Sequence, residues 1–277
     1  TYADVKEILI ENGNAVGVRM ADGQAIHAPA VISNAGVFNT FGTLLPDHAP
    51  HKAFYQNKLG QVQRSMASVC LYIGLQDTAE NLALPKTNFW IYPGADYRGQ
   101  VENFLAAPDS HDIPLTYISF PSAKDPSFAE RYPGRATIEI VAPGPFEWYQ
   151  DWADQPWGKR GQDYEAKKDA YAQRLLEKLY EKMPHLRGKV DYYELSTPLS
   201  TDYFCRYSTG EIYGLDHTPE RFEQDWLKPK TRLPGLYLTG QDIMTCGVVG
   251  AMIGGLLTTV AVSGLKGLPL AKKMFVG

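Results

Sequence analysis

Cysteine is scarce in this chain, and its placement excludes more than its number does. Cys70, Cys205 and Cys246 lie far apart, form no C-x-x-C pair and leave an odd count. That pattern excludes a disulfide framework and a cysteine-based zinc site, and it suits a reducing compartment. A surplus of basic charge is also lacking: 27 Lys and Arg stand against 31 Asp and Glu, a net charge of −4. Phosphate backbones are held by clustered Lys and Arg, so this balance offers no electrostatic case for a nucleic-acid partner. Neither a G-x-S-x-G nor a Gly-Lys-Ser/Thr segment occurs, which removes the nucleophile elbow and the phosphate loop. The six histidines are scattered, and Pro50 interrupts His48-x-x-His51, so no metal site is expected. Asp109-Ser110-His111-Asp112 contains triad residue types, but adjacent residues cannot reach triad geometry with one another; it reads as a turn. Internal repeats and low-complexity tracts are absent too. No two glycines are separated by a single residue, so the G-x-G-x-x-G dinucleotide fingerprint is missing.

What is present is ordinary globular material. The 277 residues are 44% hydrophobic and 21% charged, which rules out global disorder and allows one or two domains. Aromatics reach 12%, with 17 Tyr, and most of these rings are expected in ordinary packing. The first residues show no initiator Met, basic n-region or apolar h-region, so no signal peptide is visible. Instead Val5–Ile10, the turn Glu11-Asn12-Gly13-Asn14 and Val16–Met20 read as a hairpin, because Asn-Gly supplies the positive φ angles of a tight turn. A turn at Ala21-Asp22-Gly23 leads to Gln24–His27 and then a short apolar strand at Ala30–Ser33. A chain that opens inside a sheet motif is expected to have residues missing upstream.

The centre reads as an antiparallel sheet with loops. Gly36–Arg64 is mostly helical, broken at Pro46 and Pro50; Ser65–Gly74, Asn88–Tyr92, Leu115–Phe120 and Ala136–Val141 are strand-like. The spacing of Tyr164, Tyr171, Leu175, Leu179 and Met183 predicts a helix from about Asp163, ended by Pro184. Trp148–Trp157, with three Trp, reads as a packed surface loop. Lys167, Lys168, Lys272 and Lys273 read as solvated surface.

The C-terminal end is the most informative stretch. Leu233-Pro234-Gly235 is a turn, Leu236–Thr239 a short buried strand and Gly240 a sharp bend. Gln241 and Asp242 precede a charge-free run from Ile243 to Leu265. That run of 23 residues is long enough for a membrane span and contains Gly250-x-x-x-Gly254, but nine of its residues are Gly, Ser or Thr. As a helix of a folded domain it carries a small-residue stripe of Gly247, Ala251, Gly254, Thr258 and Ala261, over which another backbone or a flat ligand can approach closely. The helix N-terminus, with free N–H groups and partial positive charge, suits an electron-rich ring edge or a phosphate. Asp242 either accepts from ribose-type or ribityl hydroxyls or simply caps the helix.

GLYLTGQDIMTCGVVGAMIGGLLTT resembles the C-terminal flavin-contacting motif of the phytoene desaturase, carotenoid isomerase and retinol saturase group. VKEILIENGNAVGVRMADGQAIHAPAVISNAG is similar to that group's hairpin and the strand returning to its FAD domain. Ser196-Thr-Pro198 with Gly210-Glu-Ile-Tyr213-Gly214 resembles the segment before the last motif. The resemblance implies an α/β fold: part of a Rossmann-like FAD-binding domain, lacking its G-x-G-x-x-G half, with an inserted antiparallel-sheet plus helix substrate domain. Residues 1–37 and 196–277 would form the discontinuous FAD-domain portion, and 38–195 the substrate domain. It also implies cofactor contacts. Asp242 would meet the ribityl or pyrophosphate-side hydroxyls, and Gly240 and Gln241 would form the tight approach. Gly247, Val248, Val249, Gly250 and Ala251 would bring helix N–H groups to the flavin's pyrimidine edge, with Asn34 and Ala35 nearby. Tyr213 and Gly214 would border the flavin cavity or stack on the sheet. No catalytic acid or base is implied.

The missing fingerprint is a departure from the group's pattern. It leads to the expectation that this is the C-terminal half of a longer enzyme and binds FAD weakly or not at all without its N-terminal FAD-binding half. The expected activity is hydride transfer through FAD at carbon–carbon bonds of an apolar, polyene or isoprenoid-like small molecule. A cytoplasmic location is expected from the cysteine pattern, and transient membrane association from such a substrate. Two other readings stay open: an amine-oxidase-type flavoprotein, and a non-catalytic protein anchored by a span at 243–265.

Overall fold

A computed structural model describes residues 3–267, 269 and 273; Lys272 lies outside the described residues. The strands in chain order are β1 (Val5–Glu11), β2 (Asn14–Met20), β3 (Ala25–His27), β4 (Val31–Ser33), β5 (Ser68–Leu75), β6 (Phe89–Ile91), β7 (Thr116–Ser119), β8 (Ala136–Pro143), β9 (Val190–Ser196) and β10 (Leu236–Leu238). The helices are α1 (Lys52–Leu59), α2 (Tyr97–Ala106), α3 (Pro121–Lys124), α4 (Phe128–Arg131), α5 (Gly161–Lys182), α6 (Pro198–Cys205), α7 (Pro219–Phe222) and α8 (Gly247–Ser263). A π-helical segment, Phe38–Leu44, precedes α1.

The chain forms two compact units. One comprises Thr1–Ser65 and Tyr213–Gly277, the other Met66–Ile212. The divisions therefore fall after Ser65 and Ile212, whereas the sequence placed them after residues 37 and 195. The first shift has a packing cause: Phe41 of the π segment, Leu45 just after it and Tyr55 of α1 are buried with Ile8, Leu236 and Leu238 in the core of the discontinuous unit.

In the discontinuous unit, β1, β2 and β3 form an antiparallel meander. Asn12 and Gly13 both take positive φ, 48° and 77°, as the Asn-Gly turn demands. β4 and β10 then pair in parallel, with Val31 opposite Leu236 and Ser33 opposite Leu238. In the second unit the order is β6-β7-β8-β5-β9, with every neighbouring pair antiparallel. Strict alternation builds it: Val69, Leu71, Ile73 and Leu75 of β5 and Ile138 and Ile140 of β8 are buried on one face. α5 covers that face, burying Tyr171, Leu175 and Leu179 at helical spacing. Trp148 and Trp152 pack against this core, while Trp157 is exposed. Lys167 is solvated as expected, but Lys168 is half-buried and paired with Glu194 at 2.6 Å and Glu165 at 3.0 Å. The reason is that the exposed Glu194 of β9 stands within ion-pair reach of it.

Among the described residues no helix is long and apolar enough to cross a membrane. α8 has 17 residues, about 25 Å at 1.5 Å per residue, against a hydrocarbon core of about 30 Å. Ile243 ends a separate 3-10 turn, Gln241–Ile243. The reading of 243–265 as a span is thereby overturned.

Candidate functional site

The site lies in the discontinuous unit, where β4 and β10 end side by side. Ligands of parallel α/β sheets bind beyond the carboxyl ends of such strands. The ladder runs on past β10, since Thr239 N–H donates to the Ser33 carbonyl at 3.0 Å. Beyond it, Asn34-Ala35-Gly36 and Gly240-Gln241-Asp242 emerge together. Gly240 has φ 87°, and a Cβ there would overlap the Asn34 side-chain oxygen. A glycine is therefore required for Asn34 to lie against the turn.

Asp242 is the knot of the site. It is 5% exposed. One carboxylate oxygen accepts from Val37 N–H at 2.8 Å, and the other from Leu215 N–H at 3.1 Å. It thus joins three segments distant in sequence: the start of the π segment, the Gly214-Leu215 turn and the approach to α8. A Cβ on Gly214 would overlap the same carboxylate. The turn is gripped from its other side by Arg221 of α7. Its guanidinium donates to the carbonyls of Leu215 at 2.9 Å, Gln241 at 2.7 Å and Met244 at 3.2 Å.

α8 follows. Its small-residue face is Gly250, Gly254 and Thr258, all buried; Gly247 is exposed, and Ala251 and Ala261 are half-buried. What approaches this face is the chain's own backbone. A Cβ on Gly254 would overlap the Gly240 carbonyl, and one on Gly250 the Thr245 carbonyl. Thr258 Oγ1 lies 2.8 Å from the carbonyls of both Leu238 and Gly254. Gly247, at φ 83°, has open space where a Cβ would stand. Val248 and Val249 are 86% and 64% exposed, and no side chain caps the helix. The first turn of α8 therefore presents backbone N–H groups beside bare apolar surface.

The remaining N-terminal contact is His217, whose Nε2 accepts from Cys246 N–H at 2.9 Å. Desolvation, with the nearby Arg221 cation second, holds the imidazole pKa below its ordinary value. Both causes favour the neutral ring, which alone has a free acceptor nitrogen. For a histidine depressed in the folded state, the unfolded chain binds more protons between the folded and unfolded pKa values. Stability is thus fully present above about pH 6.5 and falls as pH drops toward the folded value. Amide exchange should therefore show Cys246 losing protection below pH 6.5 in the wild type, and His217→Phe should abolish that pH dependence. Unchanged protection at Cys246 across the interval would contradict the His217 contact.

The structure thus brings together Asn34, Ala35, Gly240, Gln241 and Asp242, and sets Gly247, Val248 and Val249 on an open helix turn. Gly250 is buried against Thr245 instead, and Tyr213 is exposed, its N–H donating to Ser65 Oγ at 3.0 Å. Sequence reasoning missed His217 and Arg221. Thr218-Pro219 was the available signal, because a capping Thr followed by Pro starts a helix turn.

No family model matches the chain. An all-trans-retinol 13,14-reductase from Macaca fascicularis is 37% identical over 272 residues, covering 95% of this chain and 45% of that protein. A chloroplastic prolycopene isomerase from Daucus carota is 28% identical over 273 residues, covering 96% of this chain and 40% of that protein. The chain is homologous to this group over nearly its whole length. It spans less than half the length of these curated relatives. The group is the one that the Val5–Gly36 and Gly235–Thr259 segments resemble. Among solved structures, a putrescine oxidase double mutant superposes with a TM-score of 0.53 at 14% identity, over 99% of this chain and 49% of that one. At that identity the likeness shows a shared mixed α/β fold.

Proposed function

We propose that the chain is part of a flavin-dependent oxidoreductase acting on carbon–carbon bonds of an apolar, polyene or isoprenoid-like molecule. The observation that carries this reading is the 37% identity, across 95% of the chain, to an all-trans-retinol 13,14-reductase. The discontinuous unit is then the remainder of a Rossmann-like FAD domain, and Met66–Ile212 the inserted substrate domain. The pyrophosphate-cradling fingerprint, absent from these 277 residues, is supplied by a further segment. The substrate, which partitions into bilayers, is met during transient membrane association from the cytoplasmic side.

The residues fit FAD on one local observation. The uncapped first turn of α8, with open space at Gly247, offers N–H donors to an electron-rich ring edge. FAD supplies hydride acceptance or donation when bound. The chain's own contributions are binding and shape. Gly247, Val248 and Val249 present donors and an apolar border, while Asn34, Ala35 and Gly240 form the adjoining rim. Asp242, whose oxygens already accept two backbone amides, acts by holding the turn. In this reading it is a positioning residue.

The visible spectrum of the protein purified from its complete reading frame tests the proposal. Flavin bands are expected to survive desalting, whereas this chain alone should bind FAD weakly or not at all. A complete protein that stays colourless after FAD is added removes the flavin reading. Tight stoichiometric FAD on the 277-residue chain removes the shared-cradle part of it.

A further inference from the structure

Arg160 stands at the N-terminal boundary of α5, beside Gly161 at φ 83°. It is 7% exposed, yet its Nε has no hydrogen-bond partner. Its guanidinium lies over the Tyr164 ring, 5.4 Å from the centroid, and forms no ion pair among the described residues. Asp202 acts on it only through space. A buried cation with an unfilled donor is costly unless an acceptor meets it.

Arg160 lines a cavity of about 570 Å³, a volume in the range of small-molecule sites. The cavity's other cation, Lys168, is already neutralised by Glu194 and Glu165. Its border is aromatic: Tyr72, Trp157, Tyr192 and Phe204 all line it and all are exposed. Trp157 and Phe204 meet edge to face with centroids 5.4 Å apart. The first turn of the 22-residue α5, also without a side-chain cap, adds partial positive charge near Arg160, offset in part by the exposed Asp163.

We infer that this cavity binds the carboxylate end of an apolar, conjugated or fatty-chain molecule, with Arg160 receiving the carboxylate and the aromatic border holding the chain. Guanidinium and carboxylate match in planar, two-point geometry. The two glutamates disfavour a dianion such as phosphate, and a small inorganic ion would leave the aromatic surface unused. All these residues belong to the Met66–Ile212 unit, so the inference is independent of the flavin reading.

Binding of a fluorescent tetraene fatty acid, parinaric acid, and of its methyl ester to the 277-residue chain tests the assignment. The acid should bind at least tenfold more tightly than the ester and quench tryptophan emission. Arg160→Gln should bring the acid to the ester's affinity and leave the ester unchanged, and Arg160→Lys should restore part of the preference. Equal affinity of the wild type for acid and ester, or no binding of either, overturns the inference without any variant. A preference that persists in Arg160→Gln overturns it as well. Should Arg160→Gln fail to fold, Trp157→Leu provides the second arm: it should weaken acid and ester alike, and unchanged binding of both counts against the aromatic border.

Discussion

Asp242→Ala should destabilise the discontinuous unit by about 3–5 kcal/mol, the sum of two lost charge-assisted hydrogen bonds and two buried amides left unpaired. The carboxylate accepts from both the Val37 and Leu215 amides, and water has little access to a residue 5% exposed. Asp242→Asn keeps the shape but turns an NH2 group toward one of the two donors. About 1–3 kcal/mol should then be lost. Urea unfolding measures the totals, and amide exchange at Val37 and Leu215 locates them. A loss below about 1 kcal/mol for the alanine variant would show that the three segments are held together by other means. Because Arg221 grips the same turn through the Gln241 and Met244 carbonyls, the two residues should couple in a double-mutant cycle.

Two neighbouring glycines of α8 should respond to the same substitution with opposite signs. On Gly254 a Cβ would overlap the carbonyl oxygen of Gly240, with that residue's C and N only 3.0 and 3.1 Å away. The obstacle is backbone at the end of β10, which cannot rotate aside. Gly254→Ala should therefore cost about 2–3 kcal/mol, near the upper end for overpacking. On Gly255 the nearest atom to a Cβ is Thr239 Oγ1 at 4.0 Å, an ordinary contact. Gly255→Ala should be neutral or stabilise by up to about 1 kcal/mol, the helix-propensity gain. Thermal unfolding of the two variants decides the matter. If Gly254→Ala is as stable as Gly255→Ala, α8 does not pack on the Gly240 turn as described.

The contrast between these glycines marks the limit of sequence reading at this site. The stripe of small residues was visible from spacing, but its active members differ. Gly250, Gly254 and Thr258 are the buried face, whereas Gly247 and Ala251 lie toward its edges. One residue of helix rotation is 100°, and composition around a run so poor in large side chains does not fix which face turns inward. Asp242 was likewise singled out by its place before the helix. That its oxygens would be taken by Val37, 205 residues earlier, and by Leu215 was not written near it.

Local elements were legible because their causes are local. Asn12-Gly13 closes β1 onto β2, alternation writes β5 and β8, and the Tyr164–Leu179 spacing writes α5; each follows from turn dihedrals or side-chain period alone. The likeness to retinol reductases and carotenoid isomerases was legible for the same reason, from short contiguous motifs. Tertiary structure alone decided the parallel pairing of β4 with β10 across some two hundred residues, the Arg221 and His217 grip on the α8 turn, and the burial of Arg160 at its cavity. Those depend on which distant backbone donors and acceptors close packing leaves facing one another, and no window of neighbouring residues contains both sides of such a contact.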